Sequence, residues 1–305
     1  MQLHHVRHEK QVFTYCERTM RFPTWATDAL LRILQEWRAI FPIENTAIQS
    51  RYGAPSLFVR FDCVIADDKI RIYELQEGCA WVGYTGIANA AFRDVRDLIV
   101  REDWPGLKVI RSDLQTDTDD ELWVERTHPR EASANSYPLI MRSPLKFISE
   151  NVRTALIARS VRPVRTHNDK TYGEKLGWWR QVTYEDTKCG TSLPWSESFV
   201  LKPIAGHGST DIMIWKPNER SGRATRTQIV HTLEKYSEMY LQPFYEPMQT
   251  TLDDRAYNYI YRPYFMYSGK HQDWVPAHGI WTARPAPALR IHGSSDAISG
   301  PLLME

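Results

Sequence analysis

The chain is organised around Phe58-Val-Arg-Phe-Asp-Cys-Val-Ile-Ala66 and Ile70-Arg-Ile-Tyr-Glu-Leu-Gln76, two runs that are joined by Asp67-Asp-Lys69. Both runs are rich in residues that favour β-strands, and the segment between them is short and polar. This pattern predicts a β-hairpin. The charged residues inside the two runs are unusual, because strands of this apolar character normally lie in a protein core.

Charged and amide side chains are expected to meet on one face of this hairpin. If the turn is centred on Asp68, Asp62 lies opposite Glu74 and Arg60 lies opposite Gln76, and directly opposed residues share a face. Two neighbouring carboxylates repel each other unless a cation lies between them. Oxygen ligands of this kind suit Mg²⁺, which takes one or two carboxylates together with substrate phosphates. The hairpin therefore predicts a metal site.

Composition sets the broad class of protein. The chain has 305 residues, of which 42% are hydrophobic and 25% charged, enough for a packed core in one or two domains. The net charge of +1 gives no indication of a nucleic-acid or membrane partner. No secretory signal or apolar membrane span is evident, and the four cysteines lack zinc-site spacing, so we expect a cytoplasmic protein.

Hydrophobic periodicity and turn residues predict the other elements. The expected helices are 24–40, 87–101, 144–159 and 227–236. The expected strands are 107–110, 121–124, 198–203, 212–215, 239–245, 257–267 and 278–283. The histidines at positions 4, 5 and 8 are expected in a mobile terminus. The pattern indicates three parts: an N-terminal α/β part with the hairpin (1–150), a lid and nucleotide-binding part (151–250), and a return to the core (251–305).

A glycine-containing loop lies between two predicted strands in Phe199-Val-Leu-Lys-Pro-Ile-Ala-Gly-His-Gly-Ser-Thr-Asp-Ile-Met-Ile-Trp215. It is neither a Walker loop nor a Rossmann loop, because the spacing of both is missing. Gly206 and Gly208 permit close approach of the backbone, whose N–H groups can donate with Ser209 to phosphate oxygens. Lys202 adds positive charge. A plain β-turn is the alternative interpretation.

These motifs occur in a fixed order along the chain. They are Arg60-Phe-Asp62 with Glu74 and Gln76, Asn168-Asp-Lys170, Lys202-Pro-Ile-Ala-Gly206, Gln242, Trp274-Val-Pro-Ala-His-Gly-Ile-Trp281 and Ala288-Leu-Arg290. The order resembles that of glutathionylspermidine synthases, over residues 58 to 297. The resemblance implies an α+β fold, a circularly permuted ATP-grasp, with mixed or antiparallel sheets and a glycine-loop lid subdomain.

The resemblance also implies roles for individual residues. Asp62, Glu74 and Gln76 would hold Mg²⁺, with Gln76 in place of the family's asparagine. The nucleotide would be contacted by Lys170, Lys202, the lid residues Gly206, His207, Gly208 and Ser209, and Gln242 near the adenine. Arg60 would lie near the acid substrate, and Arg290 would face the transferred phosphate. The chain departs from the family at Gly206-His-Gly-Ser209, where Gly-Arg-Glu-Gly is usual, and at Ile291, where an acidic residue is usual.

The implied function is that of an ATP-dependent, ADP-forming carboxylate–amine ligase that forms an acyl phosphate. Its cofactors would be ATP and Mg²⁺, and its substrates a small-molecule or peptide carboxylate and an amine. Two alternatives remain open, a small-molecule kinase on the same scaffold and a non-catalytic nucleotide- or peptide-binding homologue.

Each candidate residue also has a plainer interpretation. Asp62 and Glu74 would then lie on a solvated sheet face, neutralised by Arg60 and Arg71. Lys170 and Lys202 would be surface lysines, Arg290 would pair with Asp296, and Gln242 would satisfy backbone groups at a strand end.

Overall fold

The computed structural model describes residues 1–8, 11–40, 57–77, 81–110, 119, 122–127, 139–141, 164–165, 171–188, 193–204, 211–217, 224–236, 238–292 and 296–305. The chain divides into two compact units. The first comprises Met1–Asn168 and Met248–Glu305, and the second comprises Asp169–Pro247. Within the described ranges, the helices are all too short or too polar to cross a membrane.

The elements follow each other in mixed order along the chain. The strands are β1 Leu3–His8, β2 Gln11–Cys16, β3 Met20–Phe22, β4 Phe58–Ala66, β5 Lys69–Glu77, β6 Lys108–Ile110, β7 Glu125–Thr127, β8 Leu139–Met141, β9 Val164–Arg165, β10 Arg180–Thr183, β11 Phe199–Pro203, β12 Met213–Trp215, β13 Glu238–Pro243, β14 Met248–Leu252, β15 Arg255–Ser268, β16 Asp273–Pro285 and β17 Ile298–Met304. The helices are α1 Thr24–Ile40, α2 Val82–Ala88, α3 Ala90–Asp103, α4 Thr171–Lys175, α5 Tyr184–Lys188 and α6 Arg226–Tyr236.

A nine-stranded mixed sheet is the main element of the first unit. Its order is β1-β2-β17-β16-β15-β4-β5, with β14 paired to β15 and β3 paired to β17. Strand β17 runs parallel to β2 and β3, whereas the long pair of β15 and β16 is antiparallel. Strand β4 therefore lies inside the sheet, between β15 and β5.

Two smaller sheets complete the described structure. The parallel sheet of the first unit has the order β7-β6-β8-β9, and the antiparallel sheet of the second unit has the order β10-β13-β11-β12. Helices combined with mixed and antiparallel sheets confirm the predicted α+β class. The circularly permuted ATP-grasp topology stays a prediction.

Helix α1 has the bounds that its sequence predicts. Ala26, Leu30, Leu34 and Trp37 recur at helical spacing and are buried. The indole of Trp37 lies 6.2 Å from that of Trp274 on β16, centroid to centroid. The apolar face of the helix is thus part of the core of the first unit.

The helix expected at 87–101 is broken into α2 and α3 at Asn89, which has an extended backbone. Asn89 Oδ1 caps α3 by accepting from the Phe92 amide, and Nδ2 donates to the carbonyls of Gly279 and Leu302. The side chain is 2% exposed. One buried amide thus ends one helix, starts the next and ties both to the sheet, a long-range role that helical periodicity does not indicate.

Two other expectations are wrong. The N-terminal histidines lie in β1, which pairs with β2 along its whole length, and not in a mobile terminus. Of the strand expected at 121–124, residues 122–124 form a turn, in which the Leu122 amide donates to the Asp119 carbonyl, and the strand follows at Glu125–Thr127. The helix expected at 144–159 lies outside the described residues. The remaining expected elements agree with the structure to within a few residues.

Candidate functional site

The turn of the β4–β5 hairpin contains two residues. Ala66 pairs with Lys69, and Asp67 and Asp68 have φ angles of 52° and 54°. Positive φ at both central positions defines a type I′ turn, whose twist matches that of the strands. The turn is therefore centred between Asp67 and Asp68, half a residue earlier than the sequence predicts.

A β-bulge after this turn restores the predicted pairing. Cys63 pairs with Ile72 whereas Asp62 pairs with Glu74, so Tyr73 is the extra residue on β5. Beyond the bulge, Arg60 lies opposite Gln76. The expected pairing of the candidate residues is confirmed. The turn is centred half a residue earlier than expected, and the extra residue Tyr73 compensates for this shift.

Arg60 and Asp62 form a buried ion pair on β4, the strand between β15 and β5 in the main sheet. Arg60 is 4% exposed and Asp62 is 8% exposed. Arg60 Nε donates to Asp62 Oδ1 over 2.8 Å. Buried charges are tolerated when they are paired in this way. The interpretation of a solvated sheet face is wrong for Asp62, although Arg60 does neutralise it.

Hydrogen bonds extend from this pair to β5. Arg60 Nη2 donates to Gln76 Oε1, and Gln76 Nε2 donates to Glu74 Oε2 over 3.2 Å. The Gln76 amide is held in one orientation, because its oxygen faces a cation and its nitrogen faces a carboxylate. Asp62, Arg60, Gln76 and Glu74 thus form one continuous chain of bonds, called the hairpin network below.

A second buried arginine, Arg262 on β15, joins the hairpin network. Its Nη2 lies 3.3 Å from Asp62 Oδ2, and the side chain is 4% exposed. Burial lowers the pKa of the Arg262 guanidinium, whereas the nearby Asp62 carboxylate raises it. An arginine keeps its proton under such conditions, so Arg262 is a second cation beside Asp62. Sequence analysis placed this residue only in the strand expected at 257–267. The signal that could have identified it was a charged residue within an aromatic strand.

Charge within this group is balanced. Asp62 is paired with the guanidinium groups of both Arg60 and Arg262, and Arg262 also interacts electrostatically with the Glu74 carboxylate. These positive charges relieve the repulsion expected between the two carboxylates.

The carboxylate oxygens of Asp62 and Glu74 could bind Mg²⁺ only if further oxygen ligands were also present. A carboxylate offers about four acceptor sites, and the two arginines use one on each oxygen of Asp62. Among the described residues, no cluster of three or more His, Cys, Asp and Glu side chains is arranged to hold a metal ion. Phosphate oxygens would complete such a site, as is usual for Mg²⁺.

The segment 286–292 is anchored to the sheet by three side chains. Asn258 Nδ2, Arg284 Nη1 and Arg262 Nη2 donate to the carbonyls of residues 288, 290 and 291, over 2.8, 2.9 and 3.0 Å. Arg290 itself is exposed. Arg284 forms an ion pair with Asp296, at 2.8 Å.

Positive charge is concentrated near this segment. The pKa of His292 is lowered by burial and by the positive charges of Arg284 and Arg262, against a smaller opposing effect of Asp296. Since positive neighbours disfavour a further positive charge, His292 is neutral near pH 7. An anion would be favoured in the same place.

In the second unit, two candidate residues share one face of the antiparallel sheet. Val200 pairs with Gln242 and Lys202 pairs with Tyr240, so the side chains of Lys202 and Gln242 point the same way. The opposite face carries Leu201 and Leu241, which belong to the core cluster that includes residues of α6.

Both residues are buried, Lys202 at 9% exposure and Gln242 at 1%. Lys202 Nζ lies 5.6 Å from the centroid of the Trp179 ring. Lys202 is therefore not an ordinary surface lysine. Lys170, Gly206, His207, Gly208 and Ser209 lie outside the described residues, and their roles stay predictions.

Comparisons with known proteins do not assign a function, so the functional assignment depends on the residues described above. No family model and no curated protein sequence matches the chain. Solved structures with some likeness include that of a proposed gamma-glutamylcysteine synthetase from Methylobacillus flagellatus KT. The identity is 10%, the match covers 88% of this chain and 85% of that chain, and the TM-score is 0.41. A likeness at this level is too distant to support an argument about function.

Proposed function

We propose that this protein is an ATP-dependent, ADP-forming carboxylate–amine ligase that acts through an acyl phosphate. The observation that carries the proposal is the hairpin network, in which Asp62, Arg60, Gln76 and Glu74 are bonded to each other inside a sheet. The order of the motifs, similar to that of glutathionylspermidine synthases, supplies the reaction class.

A network of charges in a sheet interior suits phosphoryl transfer. Burying charged groups is costly, and a hydrophobic replacement of similar volume often gives equal or greater stability. Charges that are already fixed in place, however, stabilise developing charge without reorganisation, which is the main source of catalysis in such reactions. The cost of the network is therefore understandable if the network serves chemistry.

In this proposal the acidic residues bind Mg²⁺ together with the nucleotide. Asp62 and Glu74 would supply carboxylate oxygens, and Mg²⁺ when bound would neutralise negative charge on the phosphates. Gln76 fixes the guanidinium of Arg60 and the carboxylate of Glu74 relative to each other, and its predicted role as a metal ligand stays part of the proposal. Arg60 would attract the carboxylate of the acid substrate.

The remaining candidates would contact the nucleotide. The proposal assigns phosphate contacts to Lys170, Lys202 and the lid residues Gly206, His207, Gly208 and Ser209. It assigns the neighbourhood of the adenine to Gln242 and the transferred phosphate to Arg290. Of these, Lys202 and Gln242 share a sheet face, as a common ligand would require.

The reaction would proceed in two steps. An oxygen of the substrate carboxylate attacks the γ-phosphorus, the bond to the β-phosphate oxygen breaks, and ADP leaves. The amine then attacks the acyl carbon, phosphate leaves, and the amine loses a proton. Excluding water protects the acyl phosphate between the steps.

The test is ADP formation by the purified protein with Mg²⁺, ATP and a panel of carboxylic acids and amines. We expect ADP to form only when a suitable acid is present, hydroxylamine to trap the intermediate as a hydroxamate, and amide to form with the amine. A stable phosphorylated product without amine would identify a kinase instead. Nucleotide binding with no ADP across the panel would identify a nucleotide-binding protein. No binding of ATP with Mg²⁺ at about millimolar concentration would exclude the ligase, the kinase and the nucleotide-binding function.

A further inference from the structure

Arg262 contacts two parts of the chain that are distant in sequence. Its Nη2 lies 3.3 Å from Asp62 Oδ2 in the hairpin network and donates to the Ile291 carbonyl over 3.0 Å. Its Nη1 donates to Thr282 Oγ1 on β16 over 3.3 Å. The same guanidinium therefore holds the acidic strand β4 and the segment 286–292.

This double contact depends on the shape of the guanidinium group. Its N–H groups are held in one plane at fixed angles, so it can serve several acceptors at once without adjusting. A lysine ammonium in the same place is a compact charge on a flexible stem. We expect a lysine at position 262 to keep the charge opposite Asp62 and to lose at least one of the other contacts.

We propose that Arg262 is a positioning residue that couples the Asp62 carboxylate to segment 286–292, the segment that carries Arg290. Its catalytic consequence rests on the proposed function, whereas the coupling itself is a property of the fold. When Arg262 is replaced, segment 286–292 loses one of its three side-chain anchors and Asp62 loses one of its two cations at the same time.

Arg96 provides a matched control. It is also 4% exposed, its Nη2 lies 2.8 Å from a carboxylate oxygen of Asp97, and its Nη1 donates to the Val82 carbonyl over 3.2 Å. Arg96→Lys therefore removes the same kinds of bonds as Arg262→Lys, in contacts that lie on α2 and α3. A general loss of packing would affect both variants alike.

The first measurement is cleavage by trypsin after Arg290. This bond is a clean reporter, because Arg262 and Arg284 are each followed by proline and trypsin does not cut there. We expect cleavage at Arg290 to be about tenfold faster in Arg262→Lys than in Arg96→Lys, since local opening exposes the segment without unfolding the protein. Hydrogen exchange of the peptide covering 286–292 should rise in parallel. Equal rates in the two variants would overturn the proposal.

The second measurement separates coupling from the ligase assignment. The affinity for a non-hydrolysable ATP analogue with Mg²⁺ should change by less than about threefold in Arg262→Lys, whereas the rate of ADP formation falls by about 10²-fold. If the wild-type protein does not bind the analogue, the ligase proposal fails and the trypsin result still decides the coupling. If Arg262→Lys does not fold, Thr282→Val serves instead, which removes the acceptor of Nη1 together with the hydrogen bond between Thr282 and Ser299. Ser299→Ala, which removes the bond to Thr282 and keeps the acceptor of Nη1, is its control. Faster cleavage at Arg290 in Thr282→Val than in Ser299→Ala is expected, and equal rates would overturn the proposal.

Discussion

Asp62 lies directly opposite Glu74 across the β4–β5 hairpin, although the turn between them is centred half a residue away from the position that this pairing requires. The bulge at Tyr73 adds one residue to β5 and so corrects for this offset of the turn. A strand that slips by one residue presents all its side chains on the opposite face. The bulge therefore decides whether the carboxylate of Glu74 faces the Arg60 network or the other side of the sheet.

The turn gives the first prediction. Because Asp68 has a φ of 54°, Asp68→Gly should stabilise the protein by about 0.5–1 kcal/mol, since glycine adopts this conformation without steric cost. Asp68→Val should destabilise it by at least as much. Urea unfolding measures both changes. The equivalent turn residue Asp254, with a φ of 61°, offers a matched control, because Asp254→Gly should have the same sign.

The second prediction concerns the buried ion pair. Asp62→Asn removes the charge that faces Arg60 and Arg262, and leaving buried cations without their counterion should cost about 3 kcal/mol in the free energy of unfolding. ADP formation should fall by at least about 10²-fold. Glu305→Gln, which breaks an exposed pair with Arg21, should cost less than about 1 kcal/mol. Equal effects of the two substitutions on stability would contradict the role of burial.

The third prediction concerns Lys202. Lys202→Met should weaken binding of an ATP analogue and lower ADP formation by at least about 10²-fold, because a positive charge placed against phosphate is lost. Lys216→Met is the control in the same unit. Its ammonium also lies 5.6 Å from an aromatic centroid, that of Phe244. Isothermal titration of both variants tests the assignment, and a similar loss in both would argue against a specific role for Lys202.

The fourth prediction follows from the charge balance of the site. With Asp62 already paired with Arg60 and Arg262, and with the Glu74 carboxylate near the charge of Arg262, a free divalent cation would add uncompensated positive charge. We expect titration with Mg²⁺ alone to show no binding below about 10 mM, and binding to appear when a nucleotide brings its own negative charge. Tight binding of free Mg²⁺ would mean that the arginines do not compensate the carboxylates.

The fifth prediction is a dependence of stability on pH. Burial lowers the pKa of His278 in the folded state, and its Nδ1 accepts a bond from the Met304 amide over 3.1 Å. Below the ordinary histidine pKa of about 6.5 the unfolded chain binds a proton that the folded chain does not, so stability falls as the pH drops from about 7 to 5.

His278→Asn should remove part of that fall in urea unfolding curves. Asparagine suits the positive φ of 60° at this position and keeps an acceptor near the Met304 amide. His231→Asn, at a side chain that is 81% exposed in the folded protein, is the control substitution. An identical pH slope in wild type and His278→Asn would contradict the prediction.

Local patterns in the sequence were sufficient to predict those helices and strand pairs that form through contacts among their own residues. Helix α1 and the pairing of Asp62 with Glu74 belong to this group, since apolar spacing and a polar turn are enough to indicate them. Long-range contacts were not predictable in this way. The break at Asn89 depends on the carbonyls of Gly279 and Leu302, which are distant in sequence.

The same reason explains why the candidate site was predicted only in part. The four members of the hairpin network lie within one hairpin, and their proximity follows from strand pairing. Arg262 reaches Asp62 because β15 is the neighbour of β4, and no local pattern indicates which strand takes that place. Sequence analysis named Asp296 as a partner of Arg290 only in its plainer interpretation, and it did not consider the ion pair that Arg284 forms with Asp296.

Strand β17 lies between β2 and β16, so the main sheet is joined at its middle by residues 298–304. During synthesis all the other strands of that sheet emerge from the ribosome before this one. Until it arrives, β2 and β16 have open edges, which are sites of mispairing and aggregation. The nascent protein is therefore expected to need the help of chaperones until residues 298–304 have been synthesised.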